Sequence, residues 1–130
     1  MDRFDFNLES GEVSNRTTAV RIADHGENEG FPDGMAIDAE GKLWVAMWGG
    51  WAVNRYDPCT GEKLASVELP CAQVTSCAFG GDSLDQLFIT TASCGLDAAA
   101  LEAQPLAGGL FVADLSATGI VGVQASHFLG

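Results

Sequence analysis

Apolar and polar residues alternate in short runs along most of this chain, and turns rich in Gly, Asp and Pro separate the runs. A period of two is typical of β-strands with one buried face. One short helix is predicted at 97–103, where Asp97 can cap the first turn and Pro105 limits extension. The chain is therefore predicted to be all-β with one short helical insertion. The predicted strands lie at 3–6, 12–22 (with a bend near Ser14 and Asn15), 35–38, 42–47, 51–56, 63–69, 74–79, 86–91 and 109–114.

A short sequence repeat divides the chain into similar units. FNLESGE at 6–12 resembles YDPCTGE at 56–62, and VADLSATG at 112–119 is a looser third copy. Four short strands in a period of about 40 to 50 residues indicate a β-propeller blade. At that period the chain holds about two and a half blades, whereas closed propellers have about four to eight. The uncovered faces and edges of such a fragment predict either self-association or a missing N-terminal half.

Composition and charge narrow the class of partner. The 130 residues are 47% hydrophobic and 18% charged, as expected for one globular domain with its own core. With 18 acidic and 6 basic residues the formal net charge is −12, which disfavours nucleic acid and anionic membrane surfaces and suits divalent cations. No apolar run is long enough to span a bilayer and the N-terminus lacks a signal-peptide pattern, so a cytoplasmic location is expected.

The four cysteines give no sign of a zinc site or a redox pair. Cys59, Cys71, Cys77 and Cys94 contain no CxxC spacing, which such sites usually show. In a reducing compartment we expect them to be buried small apolar side chains.

The stretch FPDGMAIDAEGKLWVAMWGG at 31–50 is the most informative part of the chain. Pro32 and Gly34 flank Asp33, and these two residues restrict or permit unusual backbone conformations on either side of one carboxylate. A carboxylate held in this way can be aimed at a hard cation or at a lactone carbonyl. The alternative is that Asp33 is an ordinary turn residue, since Asp beside Gly is common in turns.

Several stretches, in this order, resemble one known family. They are FDFNLESGEVSNR (4–16), PDGMAIDAEGKLWVAMWGG (32–50), the Tyr-Asp-Pro-x-Thr-Gly turn (56–61), TSCAFGG (75–81), LFITTAS (87–93) and QPLAGGLF (104–111). Nearly the whole chain is similar to the C-terminal portion of the family of regucalcin (senescence marker protein), gluconolactonase and luciferin-regenerating enzyme. The resemblance implies that residues 1–130 form the C-terminal portion of a single six-bladed β-propeller domain, whose N-terminal blades are absent here.

The resemblance also implies an activity. Family members hydrolyse sugar lactones with one divalent cation on the propeller axis, often calcium and sometimes zinc or manganese. A Glu, an Asn and an Asp hold the cation, and the Asp lies in a Pro-Asp-Gly-Met motif that corresponds to Asp33. We expect the Glu and the Asn to have no counterpart in this chain. Asp33 is thus predicted as a metal ligand and as a catalytic residue that can accept a proton from the attacking water.

Other residues carry weaker hypotheses. Trp48 follows the second strand of the central hairpin and can either wall a sugar-binding pocket or pack between blades. Hydroxyl groups at 75–76 either contact substrate or satisfy backbone groups. Ser93 stands where many relatives carry Arg, so no polar contact is assigned to it. Asp38 and Glu40 are expected to be turn and surface charges, and the two isolated histidines receive no catalytic role.

Two classes of function therefore stand side by side. The first is a metal-dependent sugar lactonase. The alternative is a catalytically inactive propeller fragment, or a calcium-binding module, that needs upstream blades or a partner chain.

Overall fold

The structure is a computed structural model that describes residues 1–22 and 29–126. In these residues one α-helix, α1 (Ala98–Ala103), precedes the last strand, and a 3₁₀ turn (Ser116–Thr118) follows it. Asp97 caps α1 by accepting a hydrogen bond from the Ala100 N–H at 2.8 Å, which confirms the predicted helix and its cap. The strands are β1 (Asp2–Phe6), β2 (Val13–Thr18), β3 (Phe31–Ile37), β4 (Leu43–Trp48), β5 (Ala52–Tyr56), β6 (Lys63–Glu68), β7 (Val74–Gly80), β8 (Gln86–Thr91) and β9 (Leu110–Asp114).

The strands form three antiparallel sheets. Sheet 1 contains β1 and β2, sheet 2 has the order β3-β4-β5-β6, and sheet 3 has the order β7-β8-β9. The predicted all-β class with one short helix is confirmed. The division of the chain into two and a half propeller blades stays a prediction.

The sequence repeat corresponds to a repeated turn. In the first copy Asn7 N–H donates to the Glu12 carbonyl at 2.9 Å, and Gly11 N–H donates to the Asn7 carbonyl at 2.8 Å. In the second copy Asp57 and Gly61 make the same two bonds at the same distances. Gly11 and Gly61 have φ of 73° and 79°, a left-handed conformation that glycine adopts at little cost. The two copies of the repeat therefore share a backbone conformation as well as similar residues.

Two hydrophobic clusters lie on the two faces of sheet 2. The larger cluster joins sheet 2 to sheet 3 and contains Trp44, Ala46, Val53, Leu69, Cys71, Val74, Cys77, Leu87, Ile89 and Leu115. The smaller one joins sheet 2 to the segment after β2 and contains Val20, Ile22, Val45, Met47 and Tyr56. Full burial of one such side chain contributes about 1.5–3 kcal/mol, so contacts between sheets supply much of the stability.

Some expectations about burial are wrong. β1 was predicted with a buried face, but all five of its residues are exposed, because sheet 1 has only two strands and no other sheet covers it within residues 1–22 and 29–126. β5 was predicted with one exposed face, but all five of its residues are buried, because clusters cover both faces of sheet 2. Of the cysteines, Cys71 and Cys77 are buried as expected, whereas Cys59 and Cys94 are exposed in loops.

Asp38 is the largest departure from the sequence prediction. It was expected to be a surface charge, but it is 1% exposed at the end of β3. Its Oδ1 accepts hydrogen bonds from the N–H groups of Glu40 and Lys42, and its Oδ2 accepts one from Trp44 Nε1 at 3.0 Å. The Arg55 Nε–H donates a fourth hydrogen bond to this carboxylate, to Oδ2 at 2.7 Å. The carboxylate thus organises the β3–β4 turn from inside, while Glu40 is exposed as expected.

The segment after the 3₁₀ turn ties sheets 2 and 3 together at one end. The Gly122 N–H donates to the Leu84 carbonyl at 2.7 Å, and the Ala39 N–H donates to the Val121 carbonyl at 2.9 Å. A Cβ at Gly122 would collide with the side chain of Phe79, so only glycine fits there. His127 falls outside the described residues, as do His25 and most of the polar loop predicted at 23–30. In the part of the chain that is described, no helix is long and apolar enough to cross a membrane.

Candidate functional site

Asp33 lies in an irregular part of an edge strand. It is the third residue of β3, which forms one edge of sheet 2, and its side chain is exposed. The pairing of β3 with β4 shifts between Pro32 and Met35, so the strand bulges at Asp33 and Gly34. β-Bulges are frequent beside functional sites because they redirect a side chain out of the regular alternation. The structure therefore presents the Asp33 carboxylate at a sheet edge, in a strand and not in a turn, and its role as a metal ligand stays a prediction.

Gly34 holds β3 close to the first strand of sheet 3. A Cβ at this position would collide with the Ser76 side chain and would lie 2.8 Å from the Thr75 carbonyl oxygen. The lack of a side chain therefore lets the two edge strands approach each other beside Asp33. The Thr75 and Thr90 hydroxyls hydrogen-bond to each other at 2.7 Å, so Thr75 is engaged within sheet 3.

Trp48 lies at the same end of sheet 2 as Asp33. Its Cα pairs with that of Phe31, and an isolated bridge joins it to Gln73 just before β7. A Cβ on Gly30 would fall 2.8 Å from the Gly50 Cα, so the chain before β3 packs directly on the turn after Trp48. Trp48 is half-buried, which leaves part of the indole able to contact a ligand. Both hypotheses for Trp48, sugar contact and packing, stay open.

Gln73 is a polar residue at this end that the sequence did not point to. Its Nε2 donates to the Cys94 carbonyl at 3.0 Å. Its Oε1 is buried and finds no hydrogen-bond partner within residues 1–22 and 29–126. A single glutamine outside any motif carries no sequence signal of such a role. Ser93, the position without an assigned role, lies in the loop after β8 and contacts Gly108.

The two aspartates of the central hairpin have opposite electrostatic settings. Burial raises the pKa of the Asp38 carboxyl, but hydrogen bonds from the Lys42 N–H, Trp44 and Arg55 outweigh burial and hold that pKa below its ordinary value. Within the described residues, the Asp33 side chain has no hydrogen bond and no ion pair. Hydrogen bonds within the fold thus engage both Asp38 oxygens, whereas the Asp33 oxygens are available to a ligand.

An exposed carboxylate without protein partners suits a hard cation, which prefers oxygen ligands. The chain supplies few of them at this place. Among residues 1–22 and 29–126, no group of three or more His, Cys, Asp or Glu side chains could hold a metal ion. Asp33 therefore fits the role of one ligand, and within the described residues no His, Cys, Asp or Glu cluster joins it.

Comparison with known proteins gives this geometry a context. Residues 1–93 match the family model described as SMP-30/Gluconolactonase/LRE-like region. The chain belongs to this family. Human regucalcin is 42% identical over all 130 residues, and zebrafish (Danio rerio) regucalcin is 43% identical over the same length. The predicted resemblance is confirmed.

Solved structures of family members agree with the fold. A luciferin-regenerating enzyme aligns with 94% of this chain at a TM-score of 0.77 and 34% identity. A calcium-binding regucalcin from Agrobacterium tumefaciens aligns with 85% of it at a TM-score of 0.74 and 34% identity. The match covers 39% and 37% of those two chains. The chain likewise spans 42% of the length of the human and zebrafish regucalcins, and its place as the C-terminal portion of a propeller stays a prediction.

Proposed function

We propose that this chain contributes to the hydrolysis of sugar lactones such as gluconolactone, with one divalent cation, calcium first and zinc or manganese as alternatives. One observation carries the proposal. In a member of the SMP-30/Gluconolactonase/LRE-like family, Asp33 occupies a bulge at a sheet edge, exposed and without a partner in the described part of the chain. Within the described residues Asp33 makes none of the side-chain hydrogen bonds through which Asp38 and Asp97 stabilise the fold.

Asp33 has two roles in this reaction. One carboxylate oxygen would hold the cation, which when bound would supply Lewis-acid polarisation of the lactone carbonyl. The other oxygen accepts a proton from the attacking water. Water adds to the carbonyl carbon, the ring C–O bond breaks, and the proton passes to the ring oxygen, so the product is the open-chain hydroxy acid. The half-buried Trp48 ring offers an apolar wall against one face of the sugar.

A second candidate function rests on a different observation. The described residues supply no group of three metal-binding side chains, and a single carboxylate binds calcium weakly. This favours a calcium-binding module or an inactive fragment that gains its remaining ligands from upstream blades or from a partner chain. The Agrobacterium regucalcin is a calcium-binding protein, which supports the same alternative.

One experiment separates the two functions. Purified chain is assayed for gluconolactone hydrolysis with added Ca²⁺, Mn²⁺ or Zn²⁺ and again after chelation, and Ca²⁺ binding is measured by calorimetry on the same samples. The variant is Asp33→Asn, and the matched control is Asp82→Asn, which changes another exposed carboxylate in the turn after β7.

The lactonase proposal expects metal-dependent hydrolysis that Asp33→Asn abolishes and Asp82→Asn preserves. Calcium binding that requires Asp33 but brings no hydrolysis would select the binding module. If neither hydrolysis nor calcium binding distinguishes Asp33→Asn from Asp82→Asn, the role of Asp33 is wrong.

A further inference from the structure

The first strands of sheets 2 and 3 carry the same irregularity. In β3 the bulge lies at Asp33 and Gly34. In β7 the pairing with β8 shifts between Val74 and Ser76, so a second bulge lies at Thr75. Each bulge inserts one extra residue close to the beginning of its strand, and such insertions redirect a side chain.

Beyond the bulges both sheets continue in a regular register, so the two bulge residues can be matched. Residues 35–37 each pair with one residue of β4, and residues 77–79 each pair with one residue of β8. The residue that lies two positions before each regular run is Asp33 in β3 and Thr75 in β7. Thr75 therefore occupies in sheet 3 the position that Asp33 occupies in sheet 2.

The two bulges also lie side by side. A Cβ on Gly34 would lie 2.8 Å from the Thr75 carbonyl oxygen and would collide with the Ser76 side chain. Gly34 directly follows Asp33, and Ser76 directly follows Thr75, so the two strands touch next to both bulge residues. The hydroxyl-bearing bulge and the carboxylate-bearing bulge thus stand on neighbouring strands at the same end of the two sheets.

A second hydroxyl holds the Thr75 side chain. Thr75 Oγ1 and Thr90 Oγ1 lie 2.7 Å apart at the surface, and neither hydroxyl makes another hydrogen bond in the part of the chain that the structure describes. Two hydroxyls carry two protons, and the bond between them uses one. The second proton and the remaining lone pairs are available to a ligand. The pair can therefore donate one hydrogen bond and accept others, which suits a sugar hydroxyl.

A small cleft adjoins this hydroxyl pair. Its volume is about 110 Å³, and it is lined by Ser76, Cys77, Ala78, Phe88 and Thr90. Since a water molecule takes about 30 Å³ in the liquid, the cleft has room for about three waters or for one edge of a sugar ring. The half-buried Phe88 gives the cleft an apolar wall, and Thr90 gives it a polar end.

We propose that the hydroxyl pair of Thr75 and Thr90 binds a ring hydroxyl of the sugar lactone and thereby orients the lactone beside Asp33. The inference rests on the proposed lactonase function and adds a substrate contact to it. A ring held by one hydroxyl has fewer orientations relative to the neighbouring carboxylate, and restricted orientation accelerates the reaction of the groups that meet. A lactone without ring hydroxyls cannot make this contact.

A purely structural role for the pair makes a different prediction. Threonines that face each other across two strands stabilise a sheet through their hydrogen bond. Loss of such a bond would lower the stability of sheet 3 and would affect every substrate alike. The substrate contact instead requires that the loss depend on the hydroxyl groups of the substrate.

Kinetics with two lactones distinguish the roles. Gluconolactone carries ring hydroxyls, and δ-valerolactone has the same six-membered ring without them. Thr75→Val and Thr90→Val remove one hydroxyl each, and valine suits a strand, so both variants should fold. We expect each to raise KM for gluconolactone about fivefold, the cost of one hydrogen bond, and to leave hydrolysis of δ-valerolactone unchanged.

Two further variants serve as controls. Thr75→Ser keeps the hydroxyl and should behave as wild type. Thr17→Val is the matched control, because Thr17 is an exposed threonine in a strand of sheet 1. Far-UV circular dichroism checks folding, and if one valine variant loses its strand signal the other tests the same hydrogen bond from the opposite strand.

A binding measurement keeps the test independent of turnover. The probe is 1,5-anhydroglucitol, which has the ring hydroxyls of gluconolactone but no carbonyl to hydrolyse, and tetrahydropyran is its counterpart without hydroxyls. Ligand-detected NMR should show binding of 1,5-anhydroglucitol that Thr75→Val and Thr90→Val weaken about fivefold and that Thr75→Ser and Thr17→Val preserve.

The outcomes separate this contact from the lactonase function. Binding that depends on the pair without any hydrolysis would support the contact and overturn the lactonase function. Hydrolysis of gluconolactone that requires Asp33, with KM unchanged in both valine variants, would overturn the contact and leave the lactonase function standing. If wild type neither hydrolyses gluconolactone nor binds 1,5-anhydroglucitol, both are wrong.

Discussion

Arg55 and Asp38 lie 17 positions apart in the chain and form a buried ion pair in which the Arg55 Nε is 2.7 Å from the Asp38 Oδ2. The Arg55 Nη2 also lies 2.7 Å from that oxygen. The guanidinium carbon lies over the Trp44 ring, 6.0 Å from its centroid, and the Trp44 Nε1–H donates to the same carboxylate. Three strands of sheet 2 therefore meet at one charged group in the core.

Replacing Asp38 with Asn should strongly destabilise the fold. The change removes the charge that compensates Arg55, and breaking a buried ion pair from one side costs about 3 kcal/mol or more. Arg55 keeps its second partner, the exposed Glu40, so we expect the lower end of that range. Urea unfolding measures the loss. Adding Arg55→Met to Asp38→Asn should recover part of it, and an unchanged midpoint for the single variant would contradict the prediction.

Acid should weaken the fold through the same carboxylate. The pKa of Asp38 is lower in the folded chain than its ordinary value of 3.8, so the folded state binds fewer protons than the unfolded state around that pH. The stabilisation is complete above pH 3.8 and is lost as the pH falls towards the folded pKa. Unfolding midpoints at pH 7, 5, 4 and 3 should therefore converge between wild type and Asp38→Asn, whereas parallel curves would exclude this role. A hydrogen bond from Lys42 also holds the pKa of Asp57 low. The loss of stability in acid that follows from Asp57 is the same in wild type and in Asp38→Asn.

Adding a methyl group at Gly34 should separate β3 from β7. The new Cβ would meet the Ser76 side chain and the Thr75 carbonyl, and overpacking of this kind costs about 1–3 kcal/mol. Thermal unfolding of Gly34→Ala measures the cost. Combining it with Ser76→Gly removes the side-chain collision but not the carbonyl, so about half of the loss should return by this reasoning. A Gly34→Ala variant as stable as wild type would show that the two edge strands are not in close contact.

The cysteines should divide into two classes of reactivity. Cys77 is buried, burial raises the pKa of its thiol to about 11, and its Sγ–H donates to the Trp44 carbonyl. Cys71 is also buried, whereas Cys59 and Cys94 are exposed. Because the thiolate is the reactive form, a disulfide reagent at pH 8 should label the two exposed thiols quickly and the two buried ones only after denaturation. Rapid labelling of Cys77 in the folded chain, located by peptide mapping, would contradict its burial.

Local sequence signals predicted the elements that depend on local chemistry. The Asp97 cap, the turns at 6–12 and 56–62, and the positive φ of 51° at Asn15, where the strand was expected to bend, follow from preferences that act within a few residues. The sequence predicted the bulge at Asp33 only in part. Pro32 and Gly34 indicated an unusual backbone conformation at this position but did not identify it as a β-bulge. Burial was harder to predict, because it depends on which sheet covers which face.

The sequence by itself determined the all-β class, the helix and its cap, the repeat, the acidic charge and the family resemblance that points to Asp33. Only the tertiary structure decided that Asp38 is buried against Arg55, that β5 is covered on both sides, and that Gly34 brings β3 against β7. Asp33 lies within β3 and Asp38 directly follows it, and residue type alone does not distinguish the two aspartates. The difference arises from distant partners, because a side chain is buried or exposed according to the residues that the fold brings to it from elsewhere in the chain.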